Sequence, residues 1–341
     1  MALTHRQLFT PSNLKMLVLT TSIFFVLSYN VALAQDSGKE SAEVSKANDL
    51  IEERDFAKAL EVAIALTQKY PNNSMAWFYL GVSAIETQRY KEGTEAFRKS
   101  IELQSTYAPA HTFLADALLK QGALPQAWIQ VDEALALTPT DPYANYTKAR
   151  IRFQQKLYSE AASSAENAYL EKPDFADAYL LRAEALIGNY RNFETVEDSE
   201  KQNIITRYRG AADALEKYTS LATTSKSATF WFDQIELLRN FPIEGNGLPG
   251  QKPDKRVQII SKPEPSYTEE ARKNQISGTV VLRALFDVDG TVKKIFVCQA
   301  LRGGLTEKSA QAAAQIKFVP ATLNGVPVVT WMQLEYNFQL F

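Results

Sequence analysis

The chain has 341 residues, of which 45% are hydrophobic and 22% charged, and its formal net charge at pH 7 is −2. Its length corresponds to about two average domains, and its composition excludes a collagen-like, disordered or polytopic membrane protein. The single cysteine, Cys298, excludes an internal disulfide. One cysteine and two histidines argue against a metal-ligand cluster and against histidine-based catalysis. We therefore expect no metal, no cofactor and no enzymatic activity.

The N-terminus has the pattern of a secretory signal. Two basic residues precede an apolar run from 16 to 27, and Ala32-Leu33-Ala34 forms a small-x-small cleavage site before Gln35. Residues 1–34 are therefore predicted to be removed between Ala34 and Gln35. The alternative is an uncleaved inner-membrane anchor, because residues 16–34 nearly reach the length that spans a bilayer.

A 34-residue period follows this segment. The second block carries Trp77, Leu80 and Gly81 at its fourth, seventh and eighth positions, and positions 8 and 20 are small in every block. Small residues let paired helices approach closely, and a proline near position 32 ends the second helix. The pattern resembles the tetratricopeptide repeat family, which implies an all-α solenoid of helix pairs. The blocks that align without a gap are 40–73, 74–107, 108–141 and 142–175.

A fifth block begins at Ala176 but is interrupted. Its aromatic position is matched only by Tyr208, which predicts a 16-residue insertion near 191–206 that we expect to be a surface loop. An amphipathic helix at 228–240 is predicted to cap an array that spans 40–241. Residues 242–255 contain three glycines and three prolines and predict a linker, so that 256–341 forms a second domain.

The repeat resemblance also implies a binding groove. In the tetratricopeptide family the first helix of each repeat lines the concave face. In this chain those positions hold aromatic and charged side chains that suit an amphipathic or extended peptide. The nominated groove residues are Phe78, Val82, Thr112, Asp116, Lys120, Tyr146, Arg150 and Phe153.

Beyond the linker the sequence predicts strands. Two β-rich runs within 278–299 flank a turn at 288–291, where Gly290 supplies the positive φ of a hairpin. A helix capped by Thr306 and running to about Ile316 follows, and a last strand is predicted at 328–340. The predicted fold of this region is a small α+β domain with the element order ββαβ.

Several motifs in this region resemble the C-terminal domain of TonB-family proteins. Thr268 departs from the family, which usually has proline there, and is expected to loosen the start of a helix at 268–273. The matching motifs are PSYTEEAR at 265–272, Gly278-Thr279-Val280, Asp289-Gly290, Gly304-Leu305, KFVPAT at 317–322, Asn324-Gly325 and Phe338.

This resemblance implies that the last strand binds a short peptide of an outer-membrane TonB-dependent receptor. The peptide would add to the sheet edge, where main-chain hydrogen bonds supply affinity. The nominated edge residues are Val329, Trp331, Gln333 and Glu335. The alternative is that the chain itself blocks this edge and that Trp331 and Phe338 are core residues.

The resulting hypothesis is a periplasmic adaptor of the Gram-negative cell envelope. Its last strand binds an outer-membrane or envelope partner, and its groove holds a second protein or peptide. The alternative is a membrane-anchored energy transducer that couples the proton-motive force to outer-membrane transport, which requires the uncleaved N-terminus. No nucleotide loop, nucleophile elbow or metal motif predicts an enzyme, and no nucleic-acid partner is expected.

The charge is unevenly distributed along the chain. Residues 255–341 hold 11 Lys and Arg against 7 Asp and Glu. This excess is compatible with contact to an anionic envelope polymer such as peptidoglycan, and equally with an ordinary solvated surface. The sequence does not predict the oligomeric state.

Overall fold

The computed structural model describes residues 38–188, 197–223, 226–240 and 253–340. The predicted signal with its Ala34–Gln35 cleavage site and most of the predicted linker lie outside these residues. Within the described ranges, no helix combines the length and hydropathy needed to cross a membrane.

The N-terminal part is an array of paired helices. The first helices of successive repeats begin at residues 74, 108, 142 and 176, so the 34-residue period of the sequence is the period of the fold. The helices are α1 (Gly38–Glu52), α2 (Phe56–Lys69), α3 (Ser74–Glu86), α4 (Tyr90–Leu103), α5 (Ala108–Lys120), α6 (Leu124–Leu137), α7 (Pro142–Gln154), α8 (Tyr158–Glu171), α9 (Ala176–Gly188), α10 (Asp198–Leu221) and α11 (Lys226–Arg239).

Small residues lie where helices pack most closely. A Cβ built on Gly81 would lie 2.5 Å from the Phe97 ring, and one on Gly93 would lie 2.6 Å from the Ile85 side chain. Neither glycine has room for a side chain, which explains the small residues at the eighth and twentieth positions. The alanines at these positions in the other repeats are all fully buried: Ala47, Ala59, Ala115, Ala127, Ala149 and Ala161.

The turn inside each of the first four repeats has one left-handed residue. Arg54, Gln88, Gly122 and Lys156 have φ between 61° and 73°. In the last of these turns, the Leu157 N–H donates to the Arg152 carbonyl at 2.9 Å, and the Lys156 N–H to the Phe153 carbonyl at 3.0 Å. This bond pair closes the C-terminus of a helix in the Schellman manner.

The predicted insertion is not a loop where the structure describes it. Residues 198–206 form the first turns of the long helix α10. Ile204 is only 4% exposed and packs in the same hydrophobic core as Tyr208, so burial of apolar side chains extends the helix. Residues 191–196 lie outside the described part.

The C-terminal domain confirms the predicted α+β class. β2, β3 and β7 form an antiparallel sheet in the order β3-β2-β7, and the four short strands pair as β1–β4 and β5–β6. Its elements are β1 (Gln258–Ser261), α12 (Glu269–Lys273), β2 (Gly278–Phe286), β3 (Val292–Gln299), α13 (Leu305–Ala314), β4 (Lys317–Val319), β5 (Ala321–Leu323), β6 (Val326–Val328) and β7 (Thr330–Phe338).

Two threonines have roles that differ from expectation. Thr268 does not loosen the short helix, because its Oγ1 accepts a hydrogen bond from the Ala271 N–H at 3.0 Å and caps α12. Thr306 does not cap α13; the N-cap is Gly304, with φ of 74°. The Thr306 hydroxyl instead bonds the N–H and the carbonyl of Leu301, each at 2.8 Å.

A continuous hydrophobic core joins the array to the C-terminal domain. Helix α13 packs on β2 and β3, while α9 and α11 of the array also contact β3. The Tyr208 ring on α10 lies 5.4 Å from the Phe296 ring on β3, centroid to centroid. The end of the array therefore covers the β3 side of the sheet and not the β7 side.

Candidate functional site: an open sheet edge and a partly filled groove

Side chains of β7 alternate between the core and the solvent. Leu334, Tyr336 and Phe338 are buried in the core of the domain, whereas Gln333 and Glu335 are exposed. Of the other two nominated edge residues, Trp331 is half-buried on the exposed side and Val329 immediately precedes the strand. The Arg283 guanidinium carbon lies 5.7 Å from the Trp331 ring centroid.

One edge of β7 pairs with β2, and the other edge is unpaired over the first half of the strand. The strand pairs with β2 along its whole length, from Phe338 opposite Gly278 to Thr330 opposite Phe286. On the other side, Lys262 Nζ donates to the Glu335 carbonyl at 2.8 Å. That carbonyl thus faces away from β2.

The contact of Lys262 also fixes the direction of the neighbouring backbone groups. In an antiparallel strand the N–H and C=O of one residue face the same side, and this side repeats every second residue. The N–H of Gln333 therefore faces the open edge. Within the described ranges, no further strand pairs with β7 on this side.

The opposite edge of the sheet is closed by a side chain. Gln234 on α11 donates from Nε2 to the Ile295 carbonyl at 2.9 Å and accepts at Oε1 from the Val297 N–H at 3.1 Å. A primary amide carries the same donor and acceptor pair as a peptide unit, so Gln234, only 3% exposed, substitutes for a neighbouring strand. No sequence pattern indicates this role, since a glutamine on an amphipathic helix is normally a surface residue.

Several nominated groove residues lie inside the array. Phe78 is fully buried, and its ring meets those of Phe97, Tyr107 and Phe113 at 5.3 to 5.7 Å. Val82 is also buried in this core. These side chains hold successive helices together and expose little surface to a ligand.

Thr112 belongs to a buried polar contact between repeats. Its hydroxyl donates to Asp141 Oδ2 at 3.2 Å, and Asp141 Oδ1 accepts from the Tyr143 N–H at 3.0 Å, which caps α7. Thr112 therefore connects α5 to the start of the next repeat.

The charged groove residues form ion pairs with one another. Asp116 pairs with Lys120 at 2.9 Å and also bonds Arg150 from the next repeat. Burial by itself would raise the pKa of Asp116, but the two cations hold it below its ordinary value. The structure thus brings three nominated residues into one ionic network.

Tyr146 and Phe153 lie on α7 and pack against other aromatic rings. The Tyr146 ring lies 4.8 Å from Phe175, and the Phe153 ring lies 5.4 Å from Tyr158. Tyr146 also meets the C-terminal domain, because the Arg302 guanidinium carbon lies 5.6 Å from its ring centroid. This part of the groove is filled by the chain itself.

The surroundings of Cys298 and His111 point to structural roles for both side chains. Cys298 is fully buried, and burial raises the pKa of its thiol, which opposes formation of a nucleophilic thiolate. The two His111 ring nitrogens each lie 3.0 Å from an oxygen, one of Gln130 and one of the Ser105 backbone. The described part of the chain contains no group of three or more metal-ligating side chains.

Residues 263–340 match the family model described as Gram-negative bacterial TonB protein C-terminal. The second domain is of the TonB type. The same region is similar to Protein TonB of Vibrio cholerae serotype O1 (strain ATCC 39315 / El Tor Inaba N16961), with 31% identity over 88 residues. This alignment covers 26% of the present chain and 36% of the relative, so the chain spans about a third of that protein's length.

Residues 44–108 match the tetratricopeptide repeat model. Among solved structures, MamA has 20% identity and a TM-score of 0.41, covering 51% of this chain and 96% of that one. TTC0263 of Thermus thermophilus has 14% identity and a TM-score of 0.45, covering 58% and 99%. The two family models show tetratricopeptide repeats at 44–108 and a TonB-type domain at 263–340, and both are protein-interaction families.

Proposed function

We propose that this protein is a periplasmic adaptor. The TonB-type domain takes up a short peptide of an outer-membrane or envelope protein as an extra strand beside β7, and the array holds a second protein or peptide. TonB-dependent receptors are the class of outer-membrane partner that the domain type suggests.

The open edge of β7 carries this proposal. An unpaired strand edge offers a row of N–H and C=O groups to an incoming strand. The Gln333 N–H faces that edge, while Gln234 closes the opposite edge of the sheet. An added strand therefore has one place to pair in this sheet, next to the exposed row formed by Trp331, Gln333 and Glu335.

A test replaces Gln333, first by proline and then by alanine. Gln333→Pro removes the outward N–H and should abolish peptide capture. Gln333→Ala keeps the backbone donor and should bind within about tenfold of the wild type, or about 1.4 kcal/mol. Capture is measured by photocrosslinking from Asn337, substituted by a photoreactive residue, to the envelope, followed by mass spectrometry of the crosslinked peptide.

The fold of both variants is checked by thermal unfolding, because a proline that disturbed the β2–β7 ladder would unfold the domain. Full capture by a folded Gln333→Pro protein would show that the edge is not the binding site.

The energy-transducer alternative is supported by the segment 16–34, which nearly reaches the length that spans a bilayer. It differs from the adaptor in the state of the N-terminus, which an adaptor has lost. Intact mass measurement of the protein recovered from cells distinguishes the two: a chain beginning at Gln35 supports the adaptor, and a full-length chain in the membrane fraction supports the transducer.

A further inference from the structure

Arg302 connects the TonB-type domain to the array. It lies in the turn between β3 and α13, and its Nε is 3.3 Å from Glu184 Oε2 on α9. Its guanidinium carbon lies 5.6 Å from the centroid of the Tyr146 ring on α7. The Arg302 side chain is 20% exposed and that of Glu184 only 3%, so a charged group of one domain enters the interior of the other.

The turn that carries Arg302 is held in one conformation. Gly303 and Gly304 both have positive φ, 69° and 74°. A Cβ on Gly303 would lie 3.1 Å from Ala271 of α12, so the turn is pressed against that helix. The Gly303 carbonyl accepts a hydrogen bond from the Thr268 hydroxyl. The arginine is thus presented on a rigid support.

The array side of this contact carries groups that bind a cation. Glu184 on α9 and the Tyr146 ring on α7 both contact the Arg302 guanidinium, and Asp177 lies on the same helix as Glu184. Burial opposes the charge on Arg302, but Tyr146, Glu184 and Asp177 together raise its pKa above the ordinary value. Arg150 on α7 is already bound to Asp116.

We propose that Tyr146 and Glu184, with the charge of Asp177 on the same helix as Glu184, form a guanidinium-binding site of the array, which the chain's own Arg302 fills. This inference rests on the proposed role of the array as a binding module and names the ligand class for the half of the groove next to the TonB-type domain. A ligand of that half presents an arginine side chain and competes with Arg302.

A carboxylate pair beside an aromatic ring suits guanidinium better than ammonium. The guanidinium group is planar, so it donates in a fixed fork to carboxylates and also stacks on an aromatic face. Ammonium is a compact, strongly hydrated charge. The site therefore distinguishes an arginine from a lysine, and more strongly from an uncharged isostere.

The test empties the site and refills it with a small probe. In the full chain, Arg302→Ala removes the native occupant, and N-acetyl-arginine amide is added at increasing concentration. The Tm of Arg302→Ala should rise in a saturable manner with the probe, since a ligand that binds only the folded state stabilises it. The Tm of the wild type should not rise, because Arg302 already fills the site.

Two controls make the result specific. N-acetyl-citrulline amide, which has nearly the same shape but no charge, should leave the Tm of Arg302→Ala unchanged. The double variant Arg302→Ala with Glu184→Gln should lose most of the response to the arginine probe. Equal responses to both amides, or no response in a folded Arg302→Ala protein, would overturn the proposal.

If Arg302→Ala does not fold, the titration is made on Arg302→Gln, which retains more of the side-chain volume. Failure of both variants to fold would also overturn the proposal, since Arg302 would then be an obligatory part of the core and not the occupant of a site. Either negative result leaves the β7 edge untouched, because peptide capture next to Gln333 is measured separately.

Discussion

At the scale of single residues, the residues at the left-handed turn positions differ in how well they suit that conformation. An L-residue in this region is disfavoured by about 1–2 kcal/mol relative to glycine. Arg54, Gln88 and Lys156 adopt it nonetheless, while Gly122 does so without strain. Three of the four turns therefore retain strain that a glycine would relieve.

We expect Lys156→Gly to stabilise the array by up to about 1 kcal/mol, since relief of strain exceeds the larger entropy that glycine loses on folding. The matched control is Gly122→Ala, which should destabilise by about 1 kcal/mol. A Cβ there would meet only the Gln275 side chain, at 3.5 Å, so the loss would come from φ and not from a collision. Urea unfolding measures both; a destabilised Lys156→Gly would contradict the assignment.

Asp141, the buried N-cap of α7, makes the stability of the folded protein depend on pH. Burial raises the pKa of the Asp141 carboxyl from 3.8 to about 6, although hydrogen bonds from Tyr143 and Thr112 act to lower it. Because the folded-state value is the higher one, its contribution to stability is fully present below about pH 4 and is lost as the pH rises through about 6. Asp141→Asn keeps an acceptor and should remove this loss, stabilising the protein at pH 7 by up to about 3 kcal/mol.

Unfolding at pH 4 and pH 7 measures this effect. The control is Asp55→Asn at the exposed cap of α2, where a hydrogen bond from Lys58 lowers the carboxyl pKa. That variant should gain nothing at pH 7. A gain of similar size in both variants would mean that the caps, and not burial of the charge, determine the result.

At the scale of elements, a single side chain satisfies two backbone groups at the β3 edge, which α9 and α11 also cover. Gln234→Leu would leave the Ile295 carbonyl and the Val297 N–H without their partner, at a cost of about 2–5 kcal/mol. The control is Glu236→Leu on the exposed side of the same helix, which should change stability by less than about 0.5 kcal/mol.

Denaturant unfolding measures the stability of both variants. Wild-type stability of Gln234→Leu would show that the amide does not support the β3 edge.

The predictability of each element depended on its length and period. The helices α3 to α8 could be predicted because a fixed period places small residues and prolines at equivalent positions. Helix α10 was missed at its start, since residues 198–206 have no counterpart in the other repeats. The strands β1, β4, β5 and β6 have three or four residues each, too few for an alternating pattern to be recognised.

The β7 edge and the groove of the array also differed in how far the sequence could predict them. The alternation along β7 is local, so the exposed row containing Gln333 could be predicted from the strand alone. The groove could not, because burial of Phe78 depends on rings from two other helices and Tyr146 meets Arg302 from a distant part of the chain. Contacts between residues far apart in sequence leave no local pattern.

At the scale of the whole molecule, the shared core couples the end of the array to the TonB-type domain. The C-terminal domain contacts α7, α9 and α11, and each repeat of a solenoid contacts only its neighbours, so the coupling should be confined to this end of the array. Truncation after residue 252 would expose Tyr208 and Gln234. Amide hydrogen exchange should then quicken in α9 to α11 and remain unchanged in α3 to α6. Unchanged exchange in α9 to α11 would mean that the two parts are stable independently.

The closed β3 edge has a consequence for assembly. In the terms of polymer chemistry, a sheet with two free edges is a bifunctional monomer and can grow without limit, as fibrils do. With Gln234 bound to β3, the three-stranded sheet of this chain has a functionality of one. Any strand that joins β7 uses the remaining free edge of that sheet, so the sheet can be extended in one direction only.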